Sequence, residues 1–132
     1  MDRTLIVIKP DGVGRGLTDV ILTRFESDGL KVTSKKSFLF TLGQAKMFYS
    51  PHAEKDFFQE LISFITSGPV VAAVLEGPNA LERAREIVGP TDPGSAPKGT
   101  IRGDFGTEIT TNVVHAADSA ESFAREWKVV FG

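Results

Sequence analysis

The sequence predicts an α+β sandwich in which helices pack over a small sheet, and three observations carry that expectation. Two runs, Thr4 to Ile8 and Pro69 to Leu75, are strongly apolar and rich in β-branched residues, as buried strands are. Helix-period segments bounded by caps and glycine stops alternate with them. Finally, 132 residues at 41% hydrophobic composition suffice for one core and not for two, so residues 1–132 are expected to form a single domain.

Taken in order, Thr4 to Ile8 is a strand that stops at Lys9-Pro10, and Asp11 to Gly16 is a glycine-rich connection. Thr18 is positioned to cap a helix whose inner face is Leu17, Ile21 and Phe25 and which Gly29 ends. Leu30 to Phe40 alternates imperfectly and reads as a less central strand. Thr41 and Gln44 have capping-box spacing and open a short helix through Tyr49. Beyond Pro51, Glu54 to Ile65 reads as a second helix with a wide apolar arc of Phe57, Phe58, Leu61, Ile62 and Ile65. Pro69 stands at the entrance of the next strand, where its missing N–H is tolerated. Asn79 to Val88 is helical, and Gly89 to Gly106 is a glycine- and proline-rich loop long enough to bind something. Thr111 to His115 is the last strand. Asp118 is positioned to cap a last helix, with Ala120, Phe123 and Trp127 as its apolar side. Two β-α-β units interrupted by a helical pair fit a ferredoxin-like α/β sandwich with the first and third strands central.

Composition narrows the chemistry. Cysteine is absent, which removes disulfides, thiol catalysis and thiolate metal sites. His52 and His115 are the two imidazoles, and no carboxylate pair has the spacing to complete a zinc site with them. Magnesium carried on substrate phosphates needs few protein ligands and stays possible. The formal net charge of -2 gives no general affinity for nucleic acid, so phosphate binding requires Lys9, Arg85 and Arg102 to converge locally. No run is long and apolar enough to span a bilayer, and the N-terminal residues lack a signal-peptide pattern. The expectation is a cytoplasmic protein.

Single motifs leave alternatives open. Gly12, Gly14 and Gly16 match neither the Walker nor the dinucleotide pattern; a tight turn explains them as well. His115, at a strand end just ahead of a helix carrying Glu126, is placed to be a nucleophile oriented by a carboxylate, or a structural histidine bonded to backbone. Lys9, Arg85 and Arg102 can clamp a transferring phosphoryl group, yet each alone is an ordinary surface cation. Phe57 is a base-stacking surface or part of a core or subunit contact. Tyr49 steadies a catalytic group or is half-buried without a role.

Four blocks together are more specific. Ile8-Lys9-Pro10-Asp11-Gly12-Val13, Ser67-Gly68-Pro69-Val70-Val71, Gly99-Thr100-Ile101-Arg102-Gly103-Asp104-Phe105 and Asn112-Val113-Val114-His115 resemble the nucleoside diphosphate kinases in order and spacing, over nearly the whole chain. The resemblance implies a four-stranded antiparallel sheet covered by helices, with a helical hairpin inserted between the second and third strands. It implies a magnesium-dependent, reversible ping-pong transfer from a nucleoside triphosphate to a nucleoside diphosphate, with ribose or deoxyribose, through a phosphohistidine. On that basis His115 is the nucleophile through Nδ1, with Glu126 on the other ring nitrogen. Lys9 and Asn112 contact the sugar 3′ hydroxyl, with Lys9 also near the transferring phosphate, and Tyr49 lies beside the catalytic group. Arg85, Thr91 and Arg102 bind phosphate; Phe57 stacks on the base, and Leu61 and Ile109 help line the apolar cleft. Homo-oligomers, tetramers or hexamers, are the family's rule, with no membrane and no obligatory nucleic acid as partner.

One departure stands out. The family usually continues Gly-Ser-Asp after the histidine, whereas this chain has Ala116-Ala117-Asp118. Loss of one neutral hydrogen bond at Ala117 is expected to cost about 0.5–1.5 kcal/mol and to loosen Glu126, which restoring serine at position 117 would reveal as a faster phosphotransfer. Two rival functions are a phosphohistidine carrier acting between proteins and a binding module for single-stranded nucleic acid on the sheet. The first needs no base platform. The second needs a backbone affinity that a balanced charge does not offer.

Overall fold

The computed structural model describes residues 2–107 and 112–132. Strands β1 (Asp2–Ile8), β2 (Lys31–Phe38), β3 (Val70–Gly77) and β4 (Val114–Ala116) form one antiparallel sheet in the order β2-β3-β1-β4. The helices are α1 (Pro10–Gly14), α2 (Thr18–Ser27), α3 (Leu42–Phe48), α4 (Phe58–Ile65), α5 (Ala80–Val88), α6 (Ile101–Phe105) and α7 (Ala120–Phe131), with 3-10 turns at Ser50–His52 and Pro93–Ser95. This is the ferredoxin-like α/β sandwich, with α3 and α4 inserted between β2 and β3.

The two-residue period of β1 sorts the core into two layers. Ile6 and Ile8 face Ile21 and Phe25 of α2, Ala84 and Val88 of α5, and Ile101 of α6. Leu5 and Val7 face Phe48 of α3, Leu61 and Ile65 of α4, and Val130 of α7. With β1 and β3 buried between these layers, both strands must be apolar nearly throughout, which is why they were the legible ones. β2 lies at the sheet edge, is largely exposed and carries Lys31, Lys35 and Lys36, a composition that discourages edge-to-edge pairing.

Several local expectations are corrected. The residue preceding α2 is Leu17, and Thr18 is already helical. The cap of α7 is Ser119, whose hydroxyl accepts from Ser122 N–H, while Asp118 instead accepts from the Ser122 hydroxyl. The inner face of α7 is Ser122, Glu126 and Val130; Ala120 and Trp127 are exposed. The second helix of the inserted pair begins at Phe58, because residues from Glu54 onward turn without forming it. Asp11 to Gly14 belongs to helix α1, and the segment from Gly89 to Gly106 contains α6, with Thr100 capping it by accepting from Gly103 N–H. The Thr41–Gln44 capping box is present in both directions.

Candidate active site

β4 is three residues long, and its register decides where its histidine points. His115 lies opposite Val7, so it shares the face of the sheet that Val7 presents to α3, α4 and α7. There Nε2 is 2.9 Å from Oε1 of Glu126, whose side chain is only 2% exposed. A carboxylate can only accept, so in the neutral ring Nε2 is the nitrogen that carries the hydrogen and Nδ1 the one that keeps its lone pair. Phe48 and Tyr49 meet the imidazole edge-on, with ring centroids 4.9 and 6.0 Å away. The ring is therefore fixed by one hydrogen bond and two aromatic contacts, yet still reaches a cleft of about 310 Å³.

The same cleft collects most of the sequence candidates. Lys9, Arg85 and Arg102 converge on it from the end of β1, from α5 and from α6. Phe57 and Leu61 line its apolar side, Phe57 41% exposed and Leu61 buried, while Tyr49, Thr91 and Asn112 complete the wall. Glu126 stands behind His115 and is not part of the lining. Ile109 lies outside the described residues.

Two cations here are built into the protein rather than hung on it. Lys9 Nζ donates to Asn112 Oδ1 at 2.8 Å, and Asn112 Nδ2 donates to the Thr91 carbonyl at 3.1 Å. Burial, reinforced by the nearby charge of Arg102, pulls the Lys9 ammonium down to about 7. Arg102 donates from Nη1 to the Gly89 carbonyl and from Nη2 to the Val114 carbonyl, tying β4 to the end of α5. Burial lowers it to about 10, which leaves it charged at neutral pH. Desolvation, with Glu126 adding to it, raises the Tyr49 hydroxyl and keeps it protonated. That hydroxyl is buried with no hydrogen-bond partner among the described residues.

Lys9 makes the stability of the empty protein depend on pH. Between about 7 and its ordinary 10.5 the unfolded chain holds a proton that folded Lys9 has shed, so raising the pH through that window favours the fold. Denaturant midpoints are expected to climb more steeply there for the wild type than for Lys9→Met. Parallel slopes would count against a buried, deprotonating lysine.

Val113, next to Asn112, adopts φ 68°, a left-handed conformation that β-branched residues avoid. Its carbonyl accepts from Lys9 N–H at 2.8 Å and its N–H donates to Asp11 Oδ2 at 3.2 Å, so α1 and the end of β1 hold the strain in place. Gly12 permits this approach: a Cβ there would sit 2.9 Å from Ile8 Cγ2 and 3.0 Å from the Val113 carbonyl. Its glycine thus serves packing beneath the site. Gly12→Ala is expected to cost about 1–3 kcal/mol of stability and to slow the chemistry by displacing Lys9 and Asn112. Unchanged unfolding and activity would show that the contact is slack.

Sequence reasoning missed Phe48, His52, Lys55 and Arg125. His52 lines the cleft with its ring 5.9 Å from Phe57, and burial first, then Lys55, lowers its proton affinity. Its signal was available: it is the second of two imidazoles and follows Tyr49 by three residues. Phe48 carried no such signal, since an apolar residue in a helix is usually core.

The family model for nucleoside diphosphate kinase matches residues 2–132. The nucleoside diphosphate kinase of Hyperthermus butylicus is 51% identical over 99% of this chain and 92% of its own, and that of Staphylothermus marinus 52% over 98% and 92%. Among solved structures, the Aquifex aeolicus nucleoside diphosphate kinase superposes with a TM-score of 0.93 at 47% identity, covering 99% of this chain and 95% of its own. The Halobacterium salinarum enzyme, solved in complex with CDP, gives 0.95 at 42% over 98% and 87%.

Proposed function

Because the chain belongs to the nucleoside diphosphate kinase family, we propose that this cleft moves the terminal phosphoryl group of a nucleoside triphosphate onto a nucleoside diphosphate by way of His115. One observation carries the assignment of the nucleophile. His115 is held by Glu126 through Nε2 while its ring borders a cleft that also receives Lys9, Arg85 and Arg102.

In the first half-reaction Nδ1 attacks the terminal phosphorus. The Nδ1–P bond forms, the P–O bond to the adjacent phosphate breaks, and its electron pair leaves on the diphosphate. The ring becomes cationic, and Glu126 stabilises it through the retained Nε2 hydrogen. Lys9, Arg85 and Arg102 offset charge on the transferring oxygens from fixed positions. A nucleotide entering the cleft also supplies the negative charge that favours protonated Lys9, so binding above about pH 7 is accompanied by proton uptake. In the second half-reaction a terminal oxygen of a nucleoside diphosphate attacks the same phosphorus, and the steps run backwards in the same cleft.

Thr91 lies where phosphate oxygens would pass, and Asn112 with Lys9 offers polar contacts to the sugar 3′ hydroxyl. Phe57 presents an exposed ring to the base with Leu61 beside it; stacking is tolerant of base identity and fits the use of ribo- and deoxyribonucleotides of several bases. The divalent cation we assign is magnesium, carried on the nucleotide phosphates, whose charge it offsets when bound. Asp118 is exposed and is the acidic side chain among the described residues that line the cleft, and magnesium needs few protein ligands.

Incubation with labelled triphosphate and magnesium should leave acid-labile, base-stable label on the protein, discharged by added diphosphate. Absence of label, or label that diphosphate does not remove, would overturn the assignment. Phe57→Ala is expected to raise KM about tenfold while largely sparing kcat, since stacking acts on ground and transition states alike. A phosphohistidine carrier working between proteins would be indifferent to that substitution. No helix among the described residues is long and apolar enough to cross a membrane. We assign the protein to the cytoplasm as a homo-oligomer, with sedimentation analysis as the check on assembly.

A further inference from the structure

Glu126 is the buried carboxylate on which the histidine depends, and His115 uses one of its two oxygens. The other, Oε2, is 3.4 Å from Nη2 of Arg125, the preceding residue on α7. Ala117, fully buried in the turn after β4, offers no side-chain donor, and the buried Tyr49 hydroxyl makes no hydrogen bond among the described residues. The Arg125 side chain is 29% exposed, its Nε is buried without a hydrogen-bond partner, and among the described residues Glu126 is the carboxylate its guanidinium meets. A buried carboxylate shared between a histidine and an arginine is a different electrostatic object from a carboxylate held by histidine alone.

We propose that Arg125 is a positioning residue for phosphoryl transfer, acting through Glu126: it shares the carboxylate with His115 and limits how much negative charge the histidine ring feels. This rests on the kinase assignment above. When the Nδ1–P bond forms and the P–O bond breaks, the ring keeps its Nε2 hydrogen and takes on a positive charge absent at rest. An undivided carboxylate would favour that charged ring and deepen the phosphoenzyme well. Arg125 counters this, keeping phosphohistidine close in energy to the free nucleotides so that transfer runs readily in both directions. The pair is partly exposed, so solvent screens it and the effect is modest.

The test measures the equilibrium of the first half-reaction, phosphoenzyme plus ADP against free enzyme plus ATP, for the wild type, Arg125→Met and Arg125→Lys with magnesium present. Arg125→Met is expected to raise that equilibrium constant about two- to fivefold, mainly by slowing discharge to ADP, and Arg125→Lys to return it toward wild type. An unchanged or lowered constant in Arg125→Met, even with slower turnover, would overturn the proposal, because a purely structural role alters rates without deepening the phosphoenzyme well. Should methionine impair folding, Arg125→Gln is subject to the same criterion. Wild-type protein that takes no label from ATP would instead sink the kinase assignment, so the two failures are distinguishable.

Discussion

His115→Ala is expected to abolish phosphoenzyme formation and to lower nucleotide phosphotransfer by roughly 10⁴-fold or more. Among the described residues of the cleft, His115 is the imidazole held in a fixed orientation by Glu126. The cationic cradle alone would still bind nucleotide, so affinity should survive where chemistry does not. Alanine also strips Glu126 of its 2.9 Å partner, leaving a buried carboxylate with Arg125 alone, and some stability is lost with it. His115→Gln separates the two effects, since its amide N–H can still donate toward the carboxylate while offering no nucleophile. Both variants should take up no acid-labile label, and Gln should melt closer to wild type. Residual label in either would place the acceptor elsewhere, with His52 the first place to look.

Arg102→Ala is expected to lose both stability and activity. Its two Nη donors satisfy the Gly89 and Val114 carbonyls, and charge-assisted hydrogen bonds of that kind contribute about 1.5–3 kcal/mol each before relaxation. A net destabilisation of about 3 kcal/mol is therefore anticipated, read as a lower denaturant midpoint. The same substitution removes a fixed positive charge from the proposed phosphate cradle, and a loss of that kind typically lowers kcat by about 10²–10³. Arg102→Lys restores the charge without the two-pronged geometry, so it should recover part of the rate and little of the stability. Wild-type stability in Arg102→Ala would mean the carbonyls find other donors and the arginine serves the nucleotide alone.

The cleft residues were legible because they stand in short blocks beside strands whose apolar character is unmistakable. Lys9 follows β1, Asn112 and His115 flank the start of β4, and Arg102 sits two residues after the Thr100 cap of α6. Other features were opaque for definite reasons. Asp118 and Ser119 are adjacent and both able to cap, so local spacing could not choose the Ser119 hydroxyl. Trp127 falls in line with Ala120 and Phe123 as an apolar side, but α7 turns Glu126 inward, and a charged residue is the last that periodicity assigns to an inner face. The apolar spacing reaches back to Phe57, but the backbone before Phe58 turns without forming helix.

From sequence alone came the alternation of strands and helices, the centrality of β1 and β3, and the identity of an imidazole set among basic side chains. These follow from local chemistry: which residues prefer strands, which stop helices, which hold charge. The tertiary structure decided everything that depends on register and distance. Pairing His115 with Val7 sends the imidazole toward Glu126; a shift of one residue would turn it to the opposite layer, among the aliphatic side chains of α2 and α5. The strained backbone of Val113, the depressed Lys9 ammonium and the sharing of Glu126 between His115 and Arg125 arise from groups brought together across the chain. Their energies depend on burial and on separations of a few ångströms, which no run of neighbouring letters encodes.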